Sequence, residues 1–325
     1  MVLKCYNMLL LILLISLFLS EILYFNIAKK YKIIDKPNER SLHDQVTIRG
    51  GGIVFLLSAW LYFIYSNFQY FAFTLGLSVV TIISFLDDIF TLSNRYRLPF
   101  QFLAIILILF ELHFFSNPVW MWVGVLIIGV GIINAYNFMD GINGMTGGYS
   151  TIVMLTFWFV NNYYVNFIEN DFLIFTIISL MVFNYFNFRT NARCFAGDVG
   201  SISMAVIILF LLLKLILQEQ NLIYILFLSV YGVDSVLTII HRLYLKENIF
   251  KAHRLHLFQV IVHNLKVPHL LVSSIYMLIQ GIICYIVIFN LKYSSDIQLL
   301  AGFGIIILLA ILYIIMKRRV MALTV

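Results

Sequence analysis

Hydrophobic residues in this chain come in long uninterrupted runs. Neither the strict alternation of a half-buried strand nor the narrow stripe of a water-facing helix describes them. The runs cover Met8–Ile27, Gly50–Tyr65, Phe71–Phe85, Leu98–Phe114, Pro118–Ile133 and Gly148–Val160, then Phe172–Phe186, Ser201–Leu217, Leu222–Ile240, Val267–Phe289 and Leu299–Met316. Most approach the roughly 17–25 residues that carry a helix across a bilayer. The pattern therefore predicts an all-α integral membrane protein, a polytopic bundle of about 10–11 transmembrane helices, with residues 1–325 forming a single membrane domain. The first run has no small-residue cleavage pattern and reads as a retained helix, not a signal peptide. No repeat of fixed period and no low-complexity linker interrupts the series.

Composition supports this class. The chain is 62% hydrophobic and 11% charged, with mean hydropathy +1.00, whereas a soluble domain carries roughly 25% charged residues. The net charge of +6 would raise nucleic acid as a partner for a soluble protein. Here the positions of the basic residues explain it, and no nucleic acid is expected. Alternating the sides of successive spans puts Lys29, Lys30, Lys32, Lys36, Arg40, Arg49, Arg95, Arg97, Arg189, Arg193, Arg242, Lys246, Lys251, Arg254, Lys266, Lys317, Arg318 and Arg319 on one face. Lys/Arg-rich short loops stay in the cytoplasm, so the N-terminus is expected outside and the C-terminus inside. The outer connections look short and unremarkable. Cys5, Cys194 and Cys284 are too scattered for a metal site or a disulfide framework and read as inert core thiols.

Five polar islands share the basic face. The first runs from Asp35-Lys36-Pro37-Asn38-Glu39-Arg40-Ser41-Leu42-His43 to Thr47-Ile48-Arg49-Gly50-Gly51-Gly52. It could be a solvated basic loop for anionic headgroups, but a glycine triplet opening a span suits a close backbone contact or an anion at a helix N-terminus. The second is Asp87-Asp88, with Arg95, Arg97 and Gln101 behind it. Adjacent carboxylates at a span end are costly and need a cation, either a bound ion or an ion pair with Arg95 or Arg97.

The third island, Asn134 to Gly148, holds three amides, Asp140 and four glycines. It is either an ordinary turn or a lined site where backbone N–H groups come close to a ligand. The fourth carries Asn184, Asn187, Arg189 and Arg193 and ends in Gly197-Asp198-Val199-Gly200-Ser201. Asp198 there suits a hard-cation ligand or a helix N-cap. The fifth joins Asp234 and Arg242 to Lys251-Ala252-His253-Arg254-Leu255-His256-Leu257-Phe258-Gln259. Imidazole and guanidinium so close together suggest a phosphorylated ligand, and the His pair alone makes a weak zinc site. Carboxylates and amides for a divalent cation, with arginines and histidines for phosphates, are the equipment of metal-assisted phosphoryl transfer. No P-loop or Gly-x-Gly-x-x-Gly is present, which argues against ATP or a dinucleotide.

The order of these islands resembles the polyprenyl-phosphate N-acetylhexosamine-1-phosphate transferases over almost the whole chain. The resemblance rests on Pro37-Asn38 with Arg40-Ser41, Arg49-Gly50-Gly51-Gly52, Asp87-Asp88, Asn134-x-x-Asn137-x-x-Asp140-Gly141, Gly197-Asp198-x-Gly200-Ser201 and His253-Arg254-x-His256. It implies transfer of a sugar-1-phosphate from a UDP-N-acetylhexosamine to undecaprenyl phosphate in the membrane, with release of UMP and a need for Mg²⁺ (Mn²⁺ as a substitute). It further implies Asp87, Asp88, Asp198 and His253 as catalytic residues, and Asp198 with Asn137 as metal ligands. Asn134, Asp140, Gly141, Asn187, Arg193, Asp234, Arg254, His256 and Arg49 would bind substrate. A homodimer is one expected assembly.

The last loop lacks the run of three histidines carried by the muramoyl-pentapeptide branch. The chain thus looks more like the branch that starts O-antigen, capsule or related surface glycans, using N-acetylglucosamine or an N-acetylated deoxyhexosamine. Two other readings compete. A polyprenyl-lipid or sugar transporter or flippase would need midplane charges and pseudo-symmetric halves with broken helices, and an intramembrane aspartyl protease would need two aspartates inside neighbouring helices. Neither accounts for the five islands together.

Overall fold

A computed structural model describes residues 2–35, 46–248 and 254–322. Pro37, Asn38, Arg40, Ser41, His43, Lys251 and His253 lie outside the described residues. Twelve α-helices follow in order among the described residues: α1 (Val2–Lys30), α2 (Ile53–Tyr65), α3 (Phe71–Phe90), α4 (Asn94–Glu111), α5 (Val119–Met139), α6 (Met145–Tyr163), α7 (Asn170–Asn187), α8 (Gly197–Glu219), α9 (Ser229–Tyr244), α10 (Leu257–Leu265), α11 (His269–Asn290) and α12 (Ser295–Ala322). Eleven of them answer one for one to the apolar runs, and α10 is an added short helix that the run pattern does not show. Eight segments are long and apolar enough to cross a membrane, and α2 is apolar but shorter.

Prolines mark two of the starts: Pro118 precedes α5 and Pro268 precedes α11. A residue without an N–H loses nothing at a helix start, where the first donors have no helical partner. Helix α8 is the axis of the bundle, buried along most of its length, while α12 faces outward along nearly all of its own. Large apolar side chains such as Leu300 and Phe303 on α12 and Ile127 on α5 are exposed. In a polytopic protein they face acyl chains, and helices associate there by close packing.

The tightest such contact joins α2 to α8. A Cβ on Gly52 would collide with the Gly200 Cα, so the two backbones touch and neither residue can carry a side chain there. Just before α2, Thr47–Ile48 pairs antiparallel with Ile34–Asp35 and forms a parallel bridge to Cys194. Gly51 and Gly52 then donate to the carbonyls of Phe195 and Ala196. The glycine triplet is therefore a backbone-to-backbone seam, and it brings Arg49 to the start of α8.

One span is broken. Residues Leu222–Leu228 form a 3-10 helix before α9 begins at Ser229. Gln280 of α11 stitches the break: its side chain accepts from Val230 N–H and donates to the Leu226 carbonyl. A broken helix alone does not make the pseudo-symmetric halves of a transporter. This break is sealed by a buried amide, since backbone groups freed at membrane depth must find protein partners.

Candidate active site

The charged cluster forms at one end of the bundle, where α3, α4, α8 and the Arg49 turn meet. Asp88 looks into the protein, with a fully buried side chain. Its carboxylate accepts the backbone N–H groups of Asp198 (2.9 Å) and Val199 (3.0 Å) and pairs with Arg49 Nε at 2.7 Å. It therefore caps the N-terminus of α8 from another helix, where a negative charge meets unpaired donors and the positive end of the dipole. Asp198 was open to the reading of an N-cap. The structure gives it another place: it lies in the first turn of α8, and no side chain at the cap position itself bonds back.

With its backbone held by Asp88, the Asp198 carboxylate projects between two guanidiniums, Arg97 at 2.8 Å and Arg49 at 3.6 Å. Arg97 also pairs with Asp87 at 2.7 Å, and Asp87 is anchored further by the Leu92 N–H. Of the two readings of the aspartate pair, the ion pair with Arg97 is the one the structure shows, and it runs on to a third carboxylate. Burial disfavours the Arg49 charge, but Asp88 and then Asp198 outweigh it and raise its pKa. Tyr24 of α1 donates to the Arg49 carbonyl and fixes the turn from behind.

The Asn134–Gly148 stretch closes over this cluster. Asn137 donates to Ser201 Oγ at 3.2 Å. That bond uses its amide nitrogen, and its carbonyl oxygen is the atom a hard cation would take. Asn134 is paired with the buried Gln101 of α4 at 3.0 Å. Asp140 accepts from Thr146 Oγ1 at 2.7 Å. Burial pushes its carboxyl up to about 6, with Thr146 working the other way and the charge of Asp198 adding to the rise. Gly197 has φ +69, a backbone that favours glycine, which lets the chain turn beneath Asp140 and enter α8.

The fifth island arrives from the other side. His256 lies beside Phe138, ring centroids 6.0 Å apart, and Phe258 packs on Gly141. Asp234 is buried and lies 3.1 Å from His256 Nδ1. Arg254 is half-buried on the approach to α10. Two expected site residues stand elsewhere. Asn187 is spent as scaffold: it accepts from Gly144 N–H and donates to the Cys194 carbonyl, both within 2.9 Å. Arg193 is exposed, and its backbone N–H bonds to the Phe186 carbonyl. Cys194 and Cys284 are buried as expected, while Cys5 is exposed. Glu21, inside the first apolar run, was passed over. It is fully buried beneath the glycine seam and accepts from Cys194 Sγ, and a lone acidic residue in a span was the signal that could have found it.

Comparison with known proteins fits this assembly. The family model "Glycosyl transferase family 4" matches residues 70–216, which span Asp87, Asp88, Asn137 and Asp198. A Bacillus subtilis protein named "Probable undecaprenyl-phosphate N-acetylglucosaminyl 1-phosphate transferase" is 28% identical over 71% of this chain and 70% of its own. A Thermotoga maritima protein named undecaprenyl-phosphate alpha-N-acetylglucosaminyl 1-phosphate transferase is 29% identical over 80% and 84%. From the same organism, a phospho-N-acetylmuramoyl-pentapeptide-transferase is 26% identical over 47% and 56%. The chain is similar to this transferase superfamily over most of its length. It is an enzyme of the sugar-1-phosphate transferase class.

Proposed function

We propose that this transferase moves an N-acetylhexosamine-1-phosphate from a UDP-sugar to undecaprenyl phosphate at the cytoplasmic face of a bacterial plasma membrane, releasing UMP. The observation that carries the reading is the convergence of three carboxylates and two arginines from separate parts of the chain at one end of an apolar bundle. The relatives named above supply the acceptor and the sugar class by their names, and the basic residues on the same face support the cytoplasmic side.

The donor set suits Mg²⁺. Asp198, Asn137 and Asp87 offer only oxygen ligands, which hard cations prefer. Among the described residues no three His, Cys, Asp or Glu groups form a ready-made cage. That suits an ion which takes substrate phosphate oxygens as its remaining ligands, as Mg²⁺ commonly does. When bound, it neutralises diphosphate charge as UMP departs. The protein's own contribution is positioning. Arg49 and Arg97, now engaged by carboxylates, can exchange onto phosphate oxygens, and guanidinium suits that geometry. His256, beside Phe138, and Arg254 are the further candidates for donor phosphate oxygens. An oxygen of the lipid phosphate attacks the phosphorus that bears the sugar, the bond from that phosphorus to the bridging oxygen breaks, and UMP leaves with the electron pair. An ionised phosphate needs no general base, and no separate nucleophile stands apart from these ligands, so direct attack is the reading adopted.

The test is UMP release by purified protein in detergent from a panel of UDP-sugars. Release should require both Mg²⁺ and undecaprenyl phosphate and should favour one N-acetylated sugar. Folded protein that releases UMP from none of them would refute the proposal. So would a phosphosugar trapped on Asp87 or Asp88 without lipid, as far as direct attack is concerned.

A further inference from the structure

A second polar system lies behind His256 and has no part in the chemistry above. Asp234, Thr238, Tyr276, Tyr313 and Lys317 come from α9, α11 and α12, and each is less than one-tenth exposed. Lys317 Nζ donates to Tyr313 Oη at 2.6 Å, and Tyr313 Oη lies 2.7 Å from Thr238 Oγ1. Thr238 reaches Asp234 Oδ1 at 3.2 Å. Tyr276 donates to Asp234 Oδ2 at 2.7 Å, and the Leu257 N–H donates to Oδ1 at 3.1 Å. The same Oδ1 lies 3.1 Å from His256 Nδ1.

The ends of this chain fix its direction. An ammonium can only donate and a carboxylate can only accept. Lys317 must therefore donate to Tyr313, which leaves the Tyr313 hydrogen for Thr238, and the Thr238 hydroxyl is shared between Asp234 Oδ1 and, at 3.4 Å, the Leu255 carbonyl. The shorter bonds run toward the carboxylate, and hydrogen bonds aligned this way strengthen one another. A buried carboxylate at the edge of a membrane needs a counter-charge, and Lys317 supplies it through two hydroxyls. The placement is economical in sequence terms as well. Asp234 and Thr238, and again Tyr313 and Lys317, are four residues apart, so each pair shares one helix face. Along α12, otherwise turned to the outside, Tyr313 and Lys317 are among the few buried residues.

We propose that Tyr313 and Lys317 of the last helix are positioning residues of the active site, acting through Thr238 and Asp234 to set His256 against the phosphate groups of the donor. This rests on the transferase reading for what His256 touches. The relay explains why an outward-facing helix carries a buried lysine, and it makes α12 part of the catalytic apparatus.

The test is a double-mutant cycle on turnover with UDP-sugar and undecaprenyl phosphate. Tyr313→Phe and Lys317→Met should each lower kcat about tenfold, the scale on which groups that orient a ligating histidine act, with the donor KM changed less than twofold. Lys317→Arg should restore most of the loss. In a His256→Gln background neither substitution should cost more, because the group they orient is gone. An equal, additive loss in that background would mean a structural role only, and no loss in the wild-type background would remove the relay altogether. A second arm needs no turnover: ¹⁵N-histidine NMR of the full protein, with the His256 signal assigned by its disappearance in His256→Gln. Tyr313→Phe should shift that signal, and an unmoved signal overturns the relay. The expected shift in Tyr313→Phe, with wild-type protein that releases no UMP, would instead refute the transferase reading.

Discussion

The two ends of the bundle are built from similar residues and put them to different uses. At the far end Glu169 accepts from Tyr70 and from Gln69 Nε2, and Tyr62 donates to the same Gln69. Glu111 accepts the first N–H groups of α3, from Ala72 and Phe73, and Asp171 accepts from Tyr6 and Tyr65. Lys214 sits over the Tyr70 ring at 4.6 Å. These carboxylates are satisfied by neutral donors fixed in the helices, and the network staples α1, α2, α3, α4 and α7 together. At the active end the carboxylates are held instead by Arg49 and Arg97. Guanidiniums can trade a carboxylate for a phosphate, whereas a tyrosine locked between helices has nothing to trade. An ionisable residue near a membrane is a functional candidate by default, and its partner decides whether the candidate stands.

That contrast is broken most directly at Asp198. Asp198→Asn keeps the shape and removes the charge that faces both arginines, so turnover should fall about 100-fold or more. Mg²⁺ dependence should move to higher concentration, read by titrating the cation in the UMP-release assay. Turnover within a few-fold of wild type would take Asp198 out of the metal site. A change at the seam should act almost as strongly by another route. Gly52→Ala places a methyl where the Gly200 backbone stands, which parts α2 from α8 and carries Arg49 away from Asp88 and Asp198. Loss of folded protein or of most turnover is expected, and size-exclusion behaviour in detergent separates the two.

Asp88→Asn sharpens the division of labour inside the cluster. The amide can accept only at its oxygen, so either the Val199 N–H or the Asp198 N–H together with Arg49 loses its acceptor, and Arg49 loses the opposite charge in both cases. Turnover should drop between about ten- and a hundredfold, the scale of a displaced catalytic group. Asp198, the proposed cation ligand, stays in place, so apparent Mg²⁺ affinity should change less than in Asp198→Asn. Equal shifts in Mg²⁺ affinity would make Asp88 a ligand, not a brace.

How much of this was readable beforehand differs between the two ends for a physical reason. Segment lengths and the placement of lysines and arginines exposed eleven helices, because a hydrocarbon core imposes one length and one polarity on every span. Asp87, Asp88, Asn137 and Asp198 stood out because they interrupt apolar sequence on the basic face. What each does could not be read, since Asp88 and Asp198 look alike in sequence and differ only in which way a helix start faces. Asn187 looked like a ligand because an amide that braces a loop and an amide that binds a substrate are the same residue. The Lys317 relay and the Glu169 staple were hidden for a further reason: their partners lie dozens of residues away, as with Asp234 and Tyr276 or Tyr70 and Glu169. Glu21, Glu111 and Lys214 were legible as charges inside apolar runs, and pairing them needed the fold.

The far end gives the smallest and most selective test. Glu169→Ala removes two hydrogen-bond acceptors from an exposed carboxylate, so it should lower stability by about 1 kcal/mol and leave UMP release within about twofold of wild type. The sign of its pH dependence follows from the carboxyl's state. Burial acts to raise its pKa, but the hydrogen bonds from Tyr70 and Gln69 outweigh burial and hold it below its ordinary value. A carboxyl lowered on folding contributes its stability above the unfolded value, and that contribution fades as the pH falls through the folded one. Thermal midpoints of wild type and Glu169→Ala should therefore differ at neutral pH and converge below the ordinary carboxylate range. A difference that persists in acid would assign the effect to lost packing, and a loss of turnover at neutral pH would show that the two ends are coupled through α8 and are not separate in function.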